Sequence, residues 1–322
     1  MFIDTRQIND GKALIVTVCV IGGGVAGLTI ARELEQAGVD TCVLESGGFE
    51  PDDQTRDLYR GQATGIHYQF ADGCRARFLG GSSNCWGGWS RPLDAWDFEQ
   101  RNWIPHSGWP FGLEELAPYY ARAHEVLKLG PINFDPQYWE QSINRSDVQR
   151  LPQAHGHVRD TISQFSPPVR FGKHYRQALK LARHVRVFLH ANVTELIPDT
   201  LAVRIKQVRV QTLNGKRMTV AARLFVLASG GIENARLLLA SNRVMGAGIG
   251  NQHDLVGRYF MDHPRMVVGR VEFAPRWSRN KLYDIKYHYM NRAVYAHGQH
   301  IAAQLALTPQ AMQRERVLNA RV

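Results

Sequence analysis

The chain has 322 residues and a formal net charge of +10, from 39 Lys and Arg against 29 Asp and Glu. That length suits one large domain or two ordinary ones, and a 44% hydrophobic share is enough for a substantial core, which excludes a disordered chain. The basic residues are scattered rather than blocked into runs, with no zinc-finger or RNP-like signature beside them, so a solvated surface accounts for the charge and no nucleic-acid partner is expected.

After a polar lead, ALIVTVCVIG (13–22) is apolar on both faces and predicts a buried parallel strand. No charged residue falls between Ala13 and Ala31, which by length could be a membrane span. The three glycines at 22–24 and the β-branched run before them argue against a span, and none is expected. VAGLTIARELEQAG (25–38) predicts a helix, with Leu28, Ala31 and Leu34 at three-residue steps and Gly38 as its stop. VDTCVLE (39–45) predicts a second strand, so the opening is one βαβ crossover.

Gly22-x-Gly24-x-x-Gly27 occupies the turn between that strand and helix. The first glycine permits the tight turn, the second lets backbone approach a pyrophosphate, and the third lets helix and strand pack closely. The helix N-terminus offers unpaired N–H groups and a positive dipole end to the anion. Glu45, ending the second strand, can accept hydrogen bonds from ribose hydroxyls and would repel a 2′-phosphate. In this context the pattern predicts an ADP-containing dinucleotide, without choosing between NAD and FAD.

Residues 47–110 show no long periodicity. Within them GGSSNCWGG (80–88) presents backbone N–H donors and little side-chain bulk, which suits a phosphate or a flat ring. LEELAPYYARAHEVLKLG (113–130) predicts a helix, 131–157 loop, HYRQALKLARHV (174–185) a helix and RVFLHANVTELI (186–197) a strand. Asn214-Gly215 between alternating segments of 201–229 predicts a hairpin that ends in the apolar strand LFVLA (224–228). SGGIENARLLLAS (229–241) predicts a turn then a helix. Alternation in VGRVEF (268–273) and YDIKYHYM (283–290) predicts further strands.

Cys19, Cys42, Cys74 and Cys85 form no CxxC pair, and the first two lie in apolar runs where a buried thiol is the usual outcome. Neither a disulfide scaffold nor a zinc site is expected, and a reducing compartment, by default the cytoplasm, fits. The histidines show no HxxxH or HExxH spacing, so no metal is expected.

Taken in order, these segments resemble the glucose–methanol–choline (GMC) oxidoreductase family of FAD enzymes. The βαβ unit matches its first motif. FLGGSSNCWGGWSRPLDAWDFEQRNW (78–103) resembles its second, ANVTEL (191–196) its adenine-side segment, and VLASGGIENARLLLAS (226–241) its third stretch, with VGRYFMDHPR (256–265) following. The ending Trp86-Gly87-Gly88 looks closer to bacterial sugar and polyol dehydrogenases and pyranose oxidases than to choline or aryl-alcohol enzymes.

The resemblance implies an α/β fold: a doubly wound, Rossmann-like FAD-binding domain over 1–110 and 190–265, with an interleaved, incomplete α+β substrate domain over 111–189 and 266–322. It implies FAD as cofactor, a small-molecule alcohol, sugar or polyol oxidised at a CH–OH group by hydride transfer to flavin, and an electron-acceptor protein as a partner. By position it adds Gly80, Gly81 and Ser82 along the pyrophosphate, with Asn84, Cys85 and Trp86 near the isoalloxazine. It also places Val193 on the adenine side, and counts Ser229 and Gly230, at the turn that opens 229–241, among the cofactor-binding residues. Cys85 falls where pyranose-oxidase-like members attach FAD through a His, with a plain neighbouring Cys as the expectation. His263 matches a structural position.

The family's catalytic His stands near the C-terminus of a substantially longer chain. No such motif follows residue 265, and the surroundings of His297 and His300 do not match it, so no catalytic residue is named. The expectation is a truncated family member that turns over poorly alone. An NAD-dependent dehydrogenase and a non-catalytic nucleotide-binding remnant remain alternatives. The absence of CxxC and of a second GxGxxG counts against a flavin disulfide reductase and against the NAD enzyme.

Overall fold

The computed structural model describes residues 1–65, 75–153, 156–263, 266–267, 269, 272, 274–283 and 294–321. By packing, the chain divides into two compact units, Met1–Trp86 with Arg170–Pro264, and Gly87–Val169 with Arg265–Val322. Relative to the division expected from sequence, residues 87–110 pack in the second unit and 170–189 in the first.

The chain opens with β1 (Phe2–Asp4), β2 (Lys12–Ile21), α1 (Val25–Gln36), β3 (Thr41–Leu44) and α2 (Asp53–Asp57). It then gives the second unit β4 (Trp89–Ser90), α3 (Leu113–Leu127), α4 (Pro136–Ile143) and β5 (Val158–Phe165). It returns to the first unit for α5 (Phe171–His174), α6 (Arg176–Leu181), β6 (Val185–Leu189), β7 (Asn192–Pro198), β8 (Ile205–Gln211), β9 (Arg217–Leu227) and α7 (Gly231–Ala240). In the second unit β10 (Val294–Ala296), β11 (Gln299–Leu307) and α8 (Pro309–Glu315) follow.

In the first unit the strands lie in the order β1-β6-β3-β2-β9-β8-β7. The first five are parallel, and β8 and β7 continue as antiparallel neighbours. β3 and the last four residues of β2 are buried throughout, as parallel strands covered on both faces must be. α1 turns Leu28 and Ala31 inward. The predicted hairpin joins β8 to β9, with Gly215 at φ 89°, and the apolar run 224–228 is largely the end of an eleven-residue β9 rather than a separate strand.

Two expected elements are broken. The helix expected over 174–185 is α5 and α6, which end at Leu181. Glu35, near the end of α1, accepts the amides of Arg183, His184 and Val185, each at 2.9 Å, and so holds that stretch out of a helix. The strand expected over 186–197 is β6 and β7, separated at His190, whose φ is 58°. Only His190 and Ala191 lie between them, so the strand ends are at most roughly 10 Å apart. The sheet therefore curls, and Leu196, Val208 and Val210 of β7 and β8 share a core with Cys42, Leu44 and Phe188 of β3 and β6.

Other elements were not expected. β1 is three residues long, too short for periodicity to show, and gains its register by pairing with β6. α4 lies in a stretch read as loop, although Asp135 accepts the Gln137 amide at 2.9 Å and Pro136 takes the first helical position, a recognisable start. β5 buries Thr161, Ser163 and Gln164, so its inward positions do not read as apolar.

The second unit has an antiparallel sheet in the order β10-β11-β5-β4. Trp139 of α4 is 0% exposed among Val148, Ile162, Leu282 and Ile301, and its indole N–H donates to the Asn133 carbonyl at 2.9 Å. His297 stacks near the Trp139 ring, centroids 5.6 Å apart. The strands expected at 268–273 and 283–290 lie mostly outside the described residues, as do Cys74, Pro264 and Arg265. Among the described residues no helix is long and apolar enough to cross a membrane, and no group of three or more His, Cys, Asp or Glu could hold a metal ion.

Trp139→Ala is expected to cost the second unit about 3–5 kcal/mol, through lost burial and the cavity left behind. It should appear as an earlier thermal transition in near-UV circular dichroism. A melting curve superimposable on the parent's would contradict this assignment of the second core.

Candidate functional site

β2, β3 and β9 are neighbours, with Ile21 paired to both Leu44 and Leu227. Beyond their carboxyl ends lies a cavity of about 360 Å³. The chain leaves β2 through α1 to reach β3 on one flank, while β9 lies on the other. This reversal of strand order is where open α/β sheets bind their ligands.

The glycines at this point act differently. Gly22 has φ 108°, and a Cβ there would lie 2.6 Å from the Ala228 carbonyl oxygen. A Cβ on Gly27 would lie 1.9 Å from the Gly22 carbonyl oxygen, so only glycine lets α1 sit so close to the turn; Gly27 does not itself line the cavity. Gly24 caps α1 at an ordinary φ of −83°, and a Cβ there would meet nothing nearer than the Gly81 Cα at 3.9 Å. The protein needs no glycine at 24 for its own packing. What the missing side chain leaves is room on the cavity wall beside the first amides of α1, which have no partner inside the helix and carry its positive end.

The 80–86 loop is stitched onto that turn. Leu79 N–H donates to the Gly48 carbonyl at 3.0 Å and Gly80 N–H to the Gly23 carbonyl at 2.8 Å. A Cβ on Gly81 would lie 2.8 Å from the Gly24 Cα, so the two backbones touch. Gly81 and Ser82 line the cavity, whereas Gly80, at φ 99°, packs against Gly172 instead. The Asn84 amide donates to the Leu79 and Gly81 carbonyls at 3.1 and 2.9 Å, holding its own loop. Cys85 is an exposed thiol that donates to the Ser82 carbonyl at 3.4 Å. Trp86 meets the Phe171 ring edge-on at 5.7 Å, and its indole N–H is buried with no protein acceptor. These last three residues stand outside the cavity.

Glu45 is 5% exposed, on the cavity wall. Its Oε2 accepts the Gly23 amide and its Oε1 the Gly47 amide, both at 2.8 Å. The carboxylate thus fixes the turn as well as facing the ligand space, and each oxygen keeps a lone pair for a ribose hydroxyl. Burial pushes its pKa up, against the amides of Gly47 and Gly23 and the charge of Arg77. Opposite, Ser229 donates its hydroxyl to the Ile21 carbonyl and its amide to Asn234 Oδ1, each at 3.0 Å, tying the end of β9 to the end of β2. Gly230 caps α7, and both residues line the cavity with Val193 of β7.

Ser46, Tyr59, Arg77, Glu233 and Arg236 also line it, and the sequence reading missed them. Arg77 and Glu233 fall inside or beside the recognised motifs, but only the fold brings them together: Arg77 Nε donates to Ser46 Oγ at 2.7 Å, and its guanidinium pairs with Glu233 at 3.2 Å. His263 is exposed and its amide donates to the Asp262 side chain at 2.7 Å.

Residues 17–248 match the family model described as FAD dependent oxidoreductase. The chain is 24% identical to the 2-methyl-1,2-propanediol dehydrogenase of Mycolicibacterium austroafricanum, across 82% of this chain and 58% of that protein. It is 28% identical to the paromamine 6′-oxidase of Streptomyces fradiae, across 79% of this chain and 54% of that protein. Against the fructose dehydrogenase large subunit of Gluconobacter japonicus the identity is 21%, across 84% of this chain and 62% of that protein. The chain therefore spans a little over half the length of these curated relatives. The family match covers the glycine-rich turn, the stitched loop and α7, and it decides the choice between NAD and FAD that the turn left open. This chain belongs to the FAD-dependent oxidoreductase family.

Proposed function

We propose that this chain is a GMC-type member of that family, holding FAD noncovalently and serving oxidation of a CH–OH group on an alcohol, sugar or polyol. The observation that carries the reading is the two-part closure of the cavity, with the Gly22–Gly27 turn and the Gly80–Ser82 loop joined by the Gly80–Gly23 hydrogen bond. A dinucleotide held by the βαβ unit alone needs no such second loop.

In this reading Gly24 and the first amides of α1 face the pyrophosphate, Glu45 the ribose hydroxyls, and Val193 the adenine. Gly81 and Ser82 continue the wall toward the flavin, with Trp86 and its unpartnered indole N–H beyond them. Bound FAD supplies an acceptor for the hydride. The chain's own contribution is to fix the diphosphate with uncharged backbone donors and to exclude side chains from its path. The substrate class is supported by two relatives named for a diol and for fructose. An electron-acceptor protein and a cytoplasmic setting belong to the same reading.

The reading is tested by purifying the protein with its flavin and adding diols, sugars, polyols, amines and amino acids anaerobically. Slow bleaching of the flavin absorption by a hydroxyl compound, well below an ordinary enzymatic rate, is expected. Bleaching by amines or amino acids alone would overturn the substrate class.

Two glycine variants separate cofactor contact from packing. Gly24→Ala should leave apoprotein stability within about 0.5 kcal/mol, as for a substitution in open space, while weakening FAD binding at least about tenfold, or roughly 1.4 kcal/mol. Gly27→Ala should lose stability and FAD together, because its methyl collides with the Gly22 carbonyl. A Gly24→Ala protein that binds FAD like the parent would remove the pyrophosphate from this turn.

A further inference from the structure

Arg77 stands between two walls of the cavity. Ser46 directly follows Glu45 at the end of β3, and Glu233 stands in the first turn of α7, which follows β9. These strands flank β2 on opposite sides. One guanidinium bonds to both, donating from Nε to Ser46 Oγ at 2.7 Å and pairing through its other nitrogen with Glu233 at 3.2 Å. Ser46 in turn donates to Asn192 Oδ1 at 2.5 Å, at the start of β7.

The connection is mostly buried and reinforced. The Arg77 and Glu233 side chains are 12% and 9% exposed. Arg236 holds Glu233 from the next turn at 2.8 Å, and Arg75 approaches it at 3.8 Å. The guanidinium carbons of Arg75 and Arg77 lie 4.2 and 4.9 Å from the Tyr59 ring centroid, so the aromatic face supports both arginines. The segment carrying these arginines leads directly into the loop that is stitched to the glycine-rich turn.

We propose that Arg77 is the buckle of a strap, Ser46–Arg77–Glu233 backed by Tyr59, that closes over the adenosine side of the cofactor and sets how slowly FAD leaves. This rests on the reading of the cavity as the FAD site. The strap's anchor is next to Glu45, which faces the ribose in that reading, so it discriminates for a flavin that carries the adenosine half. A planar fork is required, since a lysine keeps the charge but cannot satisfy Ser46 and Glu233 together in fixed geometry.

The test compares the parent with Arg77→Lys and Glu233→Gln. FAD release is followed by recovery of flavin fluorescence after dilution, ADP binding to the apoprotein by calorimetry, FMN binding by fluorescence, and apoprotein melting in parallel. A strap that must open before the cofactor leaves acts on its departure, so each variant should release FAD at least about tenfold faster. ADP should weaken in step and FMN affinity should not change, while apoprotein melting falls modestly because one partner of a buried pair is lost. FAD release within about twofold of the parent in both variants, or equal loss of FMN and FAD affinity, overturns the strap. If the parent binds neither FAD nor ADP, the cavity assignment itself fails and the strap fails with it. Should Arg77→Lys not fold, the Glu233→Gln comparison decides alone.

Discussion

Four stretches of backbone meet in the first unit at distances that leave no space for a methyl group. The end of β9 passes the Gly22 position, the first turn of α1 presses on Gly22, and the 80–81 loop lies against Gly24. Hydrophobic burial could tolerate many repackings of the surrounding core. This convergence cannot be repacked, because a Cβ at Gly22, Gly27 or Gly81 would fall inside a neighbouring backbone atom's contact distance. The position of every other group on the cavity follows from it: the direction of the α1 amides, the reach of Glu45, and the bond from Ser229 to the end of β2.

The electrostatics follow the same economy. The turn lines the cavity with neutral backbone, and the Glu45 carboxylate on its edge accepts the amides of Gly23 and Gly47. Positive charge is kept to one side, in arginines that converge on Glu233. Burying Glu45 favours its neutral form, and the amides and Arg77 counteract that cost. The Gly23 and Gly47 amides would lose their acceptor if the carboxylate left, so Glu45 is a structural member of the turn in its own right.

The βαβ opening was legible because a strand buried on both faces, a glycine stop and a helix period each leave a local trace. The doubly wound character and the 80–82 loop followed from motif order. What could not be read was set by bonds and backbone conformations that only the folded chain supplies. His190 looks like any residue inside an alternating run, yet it takes φ 58° and splits one expected strand into two. Glu35 looks like a solvated helix residue, yet it accepts three amides of a segment far along the chain and shortens the expected helix there. Asn84 is placed near the flavin by position, and its amide also closes its own loop, a bond with no signature in the sequence. Arg77 and Glu233 carry no signature at all until β3 and β9 are placed on either side of β2. α4 is a different case, since the Asp135-Pro136 start was visible and passed over.

The interleaving of the first sheet also bears on how the protein is made. β2 and β3 belong to the first stretch of chain, while β6 and β9, which cover their outer edges, belong to the second. At translation rates of about 5–20 residues per second, the opening crossover waits roughly 10–40 s for β9 to emerge. Throughout that interval the apolar edge of β2 is unpaired, a template for any other strand nearby. The glycines of the turn are thus synthesised early and enclosed late.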